Sequence, residues 1–114
     1  MKIKDVIVSR FAEDDLNEII EYYFSLSSGY VEKVIDEFRM NIMSLQDYPK
    51  SGRIVPELAR QGVLHYRELV QGNYRIVYEI SEDIVIVHTI IDARRNFESL
   101  IISKLSRYYG GEKH

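Results

Sequence analysis

The stretch GNYRIVYEI, residues 72–80, decides how the rest of the chain is read. Tyr74, Ile76, Tyr78 and Ile80 recur at every second position, which is the period of a β-strand and sets an apolar row on one face. Arg75, Val77 and Glu79 take the other face. A guanidinium is costly to bury unpaired, so Arg75 must meet water, a carboxylate or a partner molecule. Glu79 on the same strand and Asp92 near the end of the next are carboxylates that could bridge it. What Arg75 meets is the question that leads to function.

Strands are expected at roughly 63–71, 73–81 and 84–92, with turn material at Gln71-Gly72-Asn73 and Glu82-Asp83. If Ser81 pairs with Ile84, Arg75 lies across from Ile90, Val77 from His88 and Glu79 from Ile86. Tyr74, Ile76, Tyr78, Val85, Val87, Thr89 and Ile91 then form a nearly all-apolar face that should meet a helical layer. The opposite face mixes Arg75, Glu79 and His88 with Val77, Ile84, Ile86 and Ile90. It is too apolar for a solvated face and too charged for core, so the C-terminal helix, another chain or both should cover it. A two-residue Gly72-Asn73 loop sends Arg67 and Arg75 to opposite faces. A three-residue loop puts both on the mixed face, because a one-residue slip flips every side chain. Both registers stay open, although Gly at the first loop position suits the shorter turn.

Upstream, KIKDVIV (2–8) reads as a short first strand. Ser9 can cap a helix carrying Ala12, Leu16, Ile19, Tyr23 and Leu26, spaced 4, 3, 4, 3, along one stripe. Ser28 can cap a second helix with the stripe Val31, Ile35, Phe38, Ile42 and Leu45, so the two form an antiparallel hairpin. Pro49 stops it. A segment with two prolines and two glycines follows, DYPKSGRIVPELARQG, in which PELAR can make one helical turn. RRNFESLIISKLSRYY reads as a final helix with Leu100, Ile101, Leu105 and Tyr108 apolar, and residues 110–114 as a frayed tail. The expected fold class is α+β in the order β-α-α-β-β-β-α, a small, mainly antiparallel sheet with a helical hairpin on one face.

The 114 residues suit one domain, 1–114, with a single core, and 46% hydrophobic and 29% charged residues are those of a folded globular chain. No apolar run approaches the roughly 20 residues of a membrane-spanning helix. The N-terminus lacks the apolar stretch and cleavage site of a signal peptide. There is no cysteine, hence no disulfide or thiolate chemistry, which suits a cytoplasmic location. His65, His88 and His114 have no metal-ligand spacing, and neither a metal nor a cofactor is expected. Net charge is −3, which argues against wholesale wrapping of nucleic acid. Residues 1–59 hold 7 Lys/Arg against 11 Asp/Glu, whereas residues 60–114 hold 8 against 7. Four arginines of the second half, Arg67, Arg75, Arg94 and Arg95, fall in strands or just after one.

GR-x-V-P-E (52–57), YREL (66–69), GNYRIVYEI (72–80) and the strand running into DARR (92–95) resemble the RelE/ParE superfamily of bacterial type II toxins. The similarity covers almost the whole chain, including the start SRFAEDDLNEI of the helical hairpin. It implies a small cytoplasmic toxin, neutralised by a cognate antitoxin protein that wraps it in a hetero-oligomer. RelE-like members cut messenger RNA on the ribosome without a metal; ParE-like members inhibit DNA gyrase by binding. Metal-free RNA cleavage needs a base, an acid and cations for the phosphorane charge. By resemblance, Arg75 matches the arginine at the scissile phosphate, Arg94 a second basic position, Arg67 a strand lysine and Glu57 a general base. Arg95 joins Arg67, Arg75 and Arg94 as a candidate target- or phosphate-binding group. The antitoxin is expected on Val77, Ile84, Ile86, His88 and Ile90.

The departures from the nuclease pattern are specific. Leu69 stands where RelE-like sites have a second lysine. The C-terminal tyrosine of that site is replaced near Leu100, and another branch's His-Tyr pair falls on Ala93 and Arg94. The helical hairpin and the GR-x-V-P-E linker look more like ParE and the plasmid stabilisation proteins. A gyrase-binding toxin is therefore the first reading and a metal-independent mRNA interferase the second. A non-toxic interaction domain derived from such a toxin is the third. Structural roles stand beside each: an ion pair for Arg75, helix-turn initiation for Glu57, capping for Arg94 and Arg95, and packing for His88.

Overall fold

The computed structural model describes residues 2–110, and the side chains of all of these except residues 28 and 107–110. The expected frayed tail beyond residue 110, the side chain of Tyr108 and a capping role for the Ser28 hydroxyl lie outside the described residues. Strand β1 (Asp5–Val8) leads into α1 (Arg10–Leu26) and α2 (Ser28–Ser44). After a loop come β2 (Arg53–Ile54), α3 (Pro56–Ala59), β3 (Tyr66–Gln71), β4 (Tyr74–Ser81), β5 (Ile84–Asp92) and α4 (Phe97–Gly110). The sheet order is β1-β5-β4-β3-β2, with β1 parallel to β5 and every other pair antiparallel.

Ser9 caps α1 as its sequence position implies, its hydroxyl accepting from the Ala12 N–H at 3.1 Å. Ala12, Ile19, Val34, Phe38, Ile42 and Leu45 close over Tyr74, Ile76, Tyr78, Val85 and Val87 to form the main core. Leu26 leaves the expected stripe: at the end of α1 it is exposed. Helix α2 ends at Ser44, short of Pro49, and its flanking N-terminal residue is Ser27. The short strand β2 was not legible in the linker. PELA does form the expected turn, with Pro at its start.

A second, smaller core lies on the other face of the sheet. There Val55, Leu58, Tyr66, Val77 and Ile91 meet Phe97, Ile101 and Leu105 of α4. The cover expected for the mixed face is therefore supplied, over its central part, by α3 and α4 of the same chain.

The β3–β4 loop takes the shorter register: Gln71 pairs with Tyr74 and Val70 with Arg75. Gly72 has φ +57°, the left-handed value that the first position of a type II′ turn demands and glycine supplies without strain. Arg67 and Arg75 therefore point to opposite faces. The β4–β5 pairing follows the expected register from Tyr78–Val87 to Ser81–Ile84, then slips by one at a bulge between Val77 and Tyr78, opposite His88. Beyond it Arg75 faces Ile91 and Val77 faces Thr89. Ile90, expected on the mixed face, packs instead in the hairpin core, and Ile91 takes its place beneath α4.

Candidate functional site

Arg75 projects from β4 toward α3 and α4 and is only 7% exposed. Two carboxylates surround it. Its Nε donates to Glu68 Oε1 at 2.7 Å and its Nη2 to Glu68 Oε2 at 2.8 Å. Nη1 and Nη2 donate to Glu57 Oε2 and Oε1 at 2.9 and 2.7 Å. Each carboxylate thus grips the guanidinium through two bonds, the strongest pairing the two groups can make. The Phe97 ring covers one face of the guanidinium, its centroid 3.4 Å from Arg75 Cζ.

Glu68 is fully buried and also accepts from Arg53 Nε at 2.7 Å. Arg53, Glu68, Arg75 and Glu57 thereby form one neutral network linking β2, β3, β4 and α3. Neutrality matters here, because an unpaired charge at such depth costs several kcal/mol, of the order of 3–5 kcal/mol when one partner is removed. Burial pulls the Arg75 pKa down, but the hydrogen bonds to Glu57 and Glu68 outweigh it and the net shift is upward. The hydrogen bonds from Arg75 hold the Glu57 carboxyl below its ordinary value against the opposing effect of burial.

The other sequence-nominated residues are dispersed. Arg67 lies on the hairpin face and donates to the Gly52 carbonyl at 2.8 Å, tying down the linker beside Tyr78. The Tyr78 hydroxyl donates to the Pro49 carbonyl and accepts from the Gly52 N–H at 3.0 Å. Arg94 chelates Asp92 with Nε and Nη2 at 3.0 and 2.7 Å, an exposed pair that holds the Asp92 pKa down and the Arg94 pKa up. Arg95 is exposed beside it. His88 Nε2 lies 2.6 Å from Glu79 Oε1, with the His88 ring against Tyr66. Glu79 and Asp92 therefore serve His88 and Arg94, and neither bridges Arg75.

Of the face expected to receive an antitoxin, Val77, His88 and Ile90 are buried by the chain itself, and only Ile84 and Ile86 keep partial exposure. Val77 lies beneath α3 and α4, and His88 is enclosed at the bulge. Glu57 and Arg75 come together as a pair; Arg67 and Arg94 do not join them. No group of His, Cys, Asp and Glu among the described residues could hold a metal ion. Sequence reasoning missed Glu68, Arg53 and Phe97. Glu68 was within reach, since the short Gly72-Asn73 loop puts it on the face of Arg75, diagonally across the strand pair.

A family model, the ParE toxin of the type II toxin–antitoxin system parDE, matches residues 6–97. The chain belongs to this family. The match begins within β1 and ends at Phe97, so it spans the sheet, the hairpin and the whole charge network. No curated protein matches the sequence. Among solved structures, the toxin–antitoxin complex RelBE2 from Mycobacterium tuberculosis is similar at a TM-score of 0.53 and 17% identity. That likeness covers 81% of this chain and 93% of the other, and establishes that this ParE-family chain shares its fold with a RelBE complex component. No described helix is long and apolar enough to cross a membrane.

Proposed function

We propose that this ParE-family toxin acts by binding its target, DNA gyrase, in the cytoplasm and is held inactive in a hetero-oligomer with a cognate antitoxin protein. The observation that carries this reading is the state of Arg75. A nuclease needs that guanidinium free to meet a phosphorane, whereas here Glu57 and Glu68 neutralise it and Phe97 covers it. Glu57 suits general-base work poorly. A base is most effective with a pKa near the working pH, and the Arg75 contact moves Glu57 the other way. Leu69, where the nuclease pattern has a lysine, packs against the hairpin core.

One contact favours the second reading, a metal-independent mRNA interferase: Glu57 and Arg75, the candidate base and phosphate ligand, are in direct contact. Two assays separate the readings. Purified protein added to a gyrase supercoiling reaction should inhibit it, and added to translating ribosomes should leave the message intact. Codon-positioned cleavage without gyrase inhibition would replace the first reading by the second. Absence of both activities, together with forced expression that leaves growth unchanged, would mark a non-toxic interaction domain.

A further inference from the structure

The helical hairpin and the Gly72-Asn73 loop enclose a small cleft at one end of the sheet. The side-chain amide of Asn41 donates to Gln71 Oε1 at 2.6 Å and ties α2 to the end of β3. Beside that tie the cleft measures about 160 Å³ and is walled by Tyr23, Tyr30, Val34, Glu37, Gly72 and Tyr74. Pockets for drug-sized ligands begin at roughly 300 Å³, so this one suits a single side chain.

Three of the walls are tyrosine rings that hold one another in place. Tyr74 is buried and meets Phe38 edge-on, with centroids 5.7 Å apart. Tyr23 stands 6.5 Å from Tyr74 at 67°, and Tyr30 stands 5.5 Å from Tyr23 at 56°. The core thus fixes Tyr74, Tyr74 fixes Tyr23, and Tyr23 steadies Tyr30, whose ring is half exposed. Rings set at steep angles along one cleft form a partial cage, and the face of each attracts a cation. Among the described residues that line the cleft, Glu37 alone is charged. The ion pairs of the described residues leave it out: Lys33, one turn earlier on α2, does not reach it, and Arg94, near the Tyr74 hydroxyl, is chelated by Asp92. Ring faces and a carboxylate both favour positive charge. The chain satisfies the same combination internally at Arg75, between Glu57, Glu68 and the Phe97 ring.

We propose that this cleft receives the arginine side chain of a partner protein, its guanidinium against the Tyr23 and Tyr30 rings and its N–H groups on Glu37. Arginine fits better than lysine, because its planar head both stacks on a ring and forks to a carboxylate. The walls are held by the core before the partner arrives, so little ordering is lost on binding. The site lies on the hairpin side of the sheet, opposite the Arg75 network, and is independent of whether gyrase or the ribosome is the target.

The test uses the full chain, isotopically labelled, with N-acetyl-argininamide as probe and N-acetyl-citrullinamide as its uncharged counterpart of the same shape. Titration with the arginine probe should shift the amide resonances of Tyr30, Glu37 and Gly72 together and to saturation. The citrulline compound should leave them in place. Glu37→Gln and Tyr30→Leu, each checked for an otherwise unchanged spectrum, should weaken binding about threefold or more. No saturable shift at these residues, shifts centred on Glu13 and Asp14 instead, equal binding of the citrulline compound, or unchanged affinity in both variants would each overturn the proposal.

Discussion

The guanidinium of Arg75 sits over the ring of Phe97, 3.4 Å from Cζ to the ring centroid, while two carboxylates hold its N–H groups. The first residue of α4 is thus the lid of the charge network, and the packing of α4 and the pairing of Arg75 are one structural event. Phe97→Leu keeps apolar bulk but loses the ring, and should cost about 1–2 kcal/mol. Phe97→Ala should cost about 3–5 kcal/mol. Urea unfolding of both variants checks the order.

Glu68 answers to two arginines from a fully buried position. Glu68→Gln should destabilise by about 3–5 kcal/mol, because it leaves Arg75 with one anionic partner and Arg53 with none. Removing the network as a whole, by Arg75→Met, Glu68→Leu and Glu57→Gln together, should recover most of that loss. Chemical denaturation of the single and triple variants measures the difference. A triple variant less stable than the single one would contradict this account.

The pH dependence follows from Glu57. Its folded-state pKa lies below the ordinary 4.5 because of Arg75. A depressed carboxylate contributes stability that is complete above its unfolded pKa and is lost as pH falls through the folded value. The stability gap between the native chain and Glu57→Gln should therefore be constant near neutrality and shrink below pH about 4.5. Urea midpoints of both proteins across that range give the test.

Gly52 sits where no side chain fits. A Cβ there would lie 2.5 Å from the Glu68 carbonyl oxygen and 2.6 Å from the Tyr78 hydroxyl. Gly52→Ala should push the linker off the sheet, break the Tyr78 and Arg67 bonds, and cost at least about 2 kcal/mol. Thermal unfolding, with near-ultraviolet circular dichroism for the tyrosine environment, reports both effects.

Glu82 carries strain of the opposite, correctable kind. It adopts φ +56° at the β4–β5 turn, a conformation that costs a non-glycine residue about 1–2 kcal/mol. Glu82→Gly removes that cost and adds back roughly 0.5–1 kcal/mol of unfolded-chain entropy. The variant should melt slightly higher than the native chain, by differential scanning calorimetry.

Periodicity alone determined the helical hairpin, the three long strands and the final helix, because those elements bury one face and must repeat their apolar residues at 3.6 or 2 positions. The RelE/ParE likeness was legible for the related reason that its motifs lie on these same elements. What tertiary structure decided is the role of Arg75. The bulge at His88 carries no local signature, yet it exchanges Ile90 and Ile91 between faces. The partners of Arg75 come from β3 and α3, distant in sequence, and its lid from α4. A charged residue in a strand states only that compensation is required; which carboxylates supply it depends on how the chain closes, since electrostatic pairing is a property of distance in space.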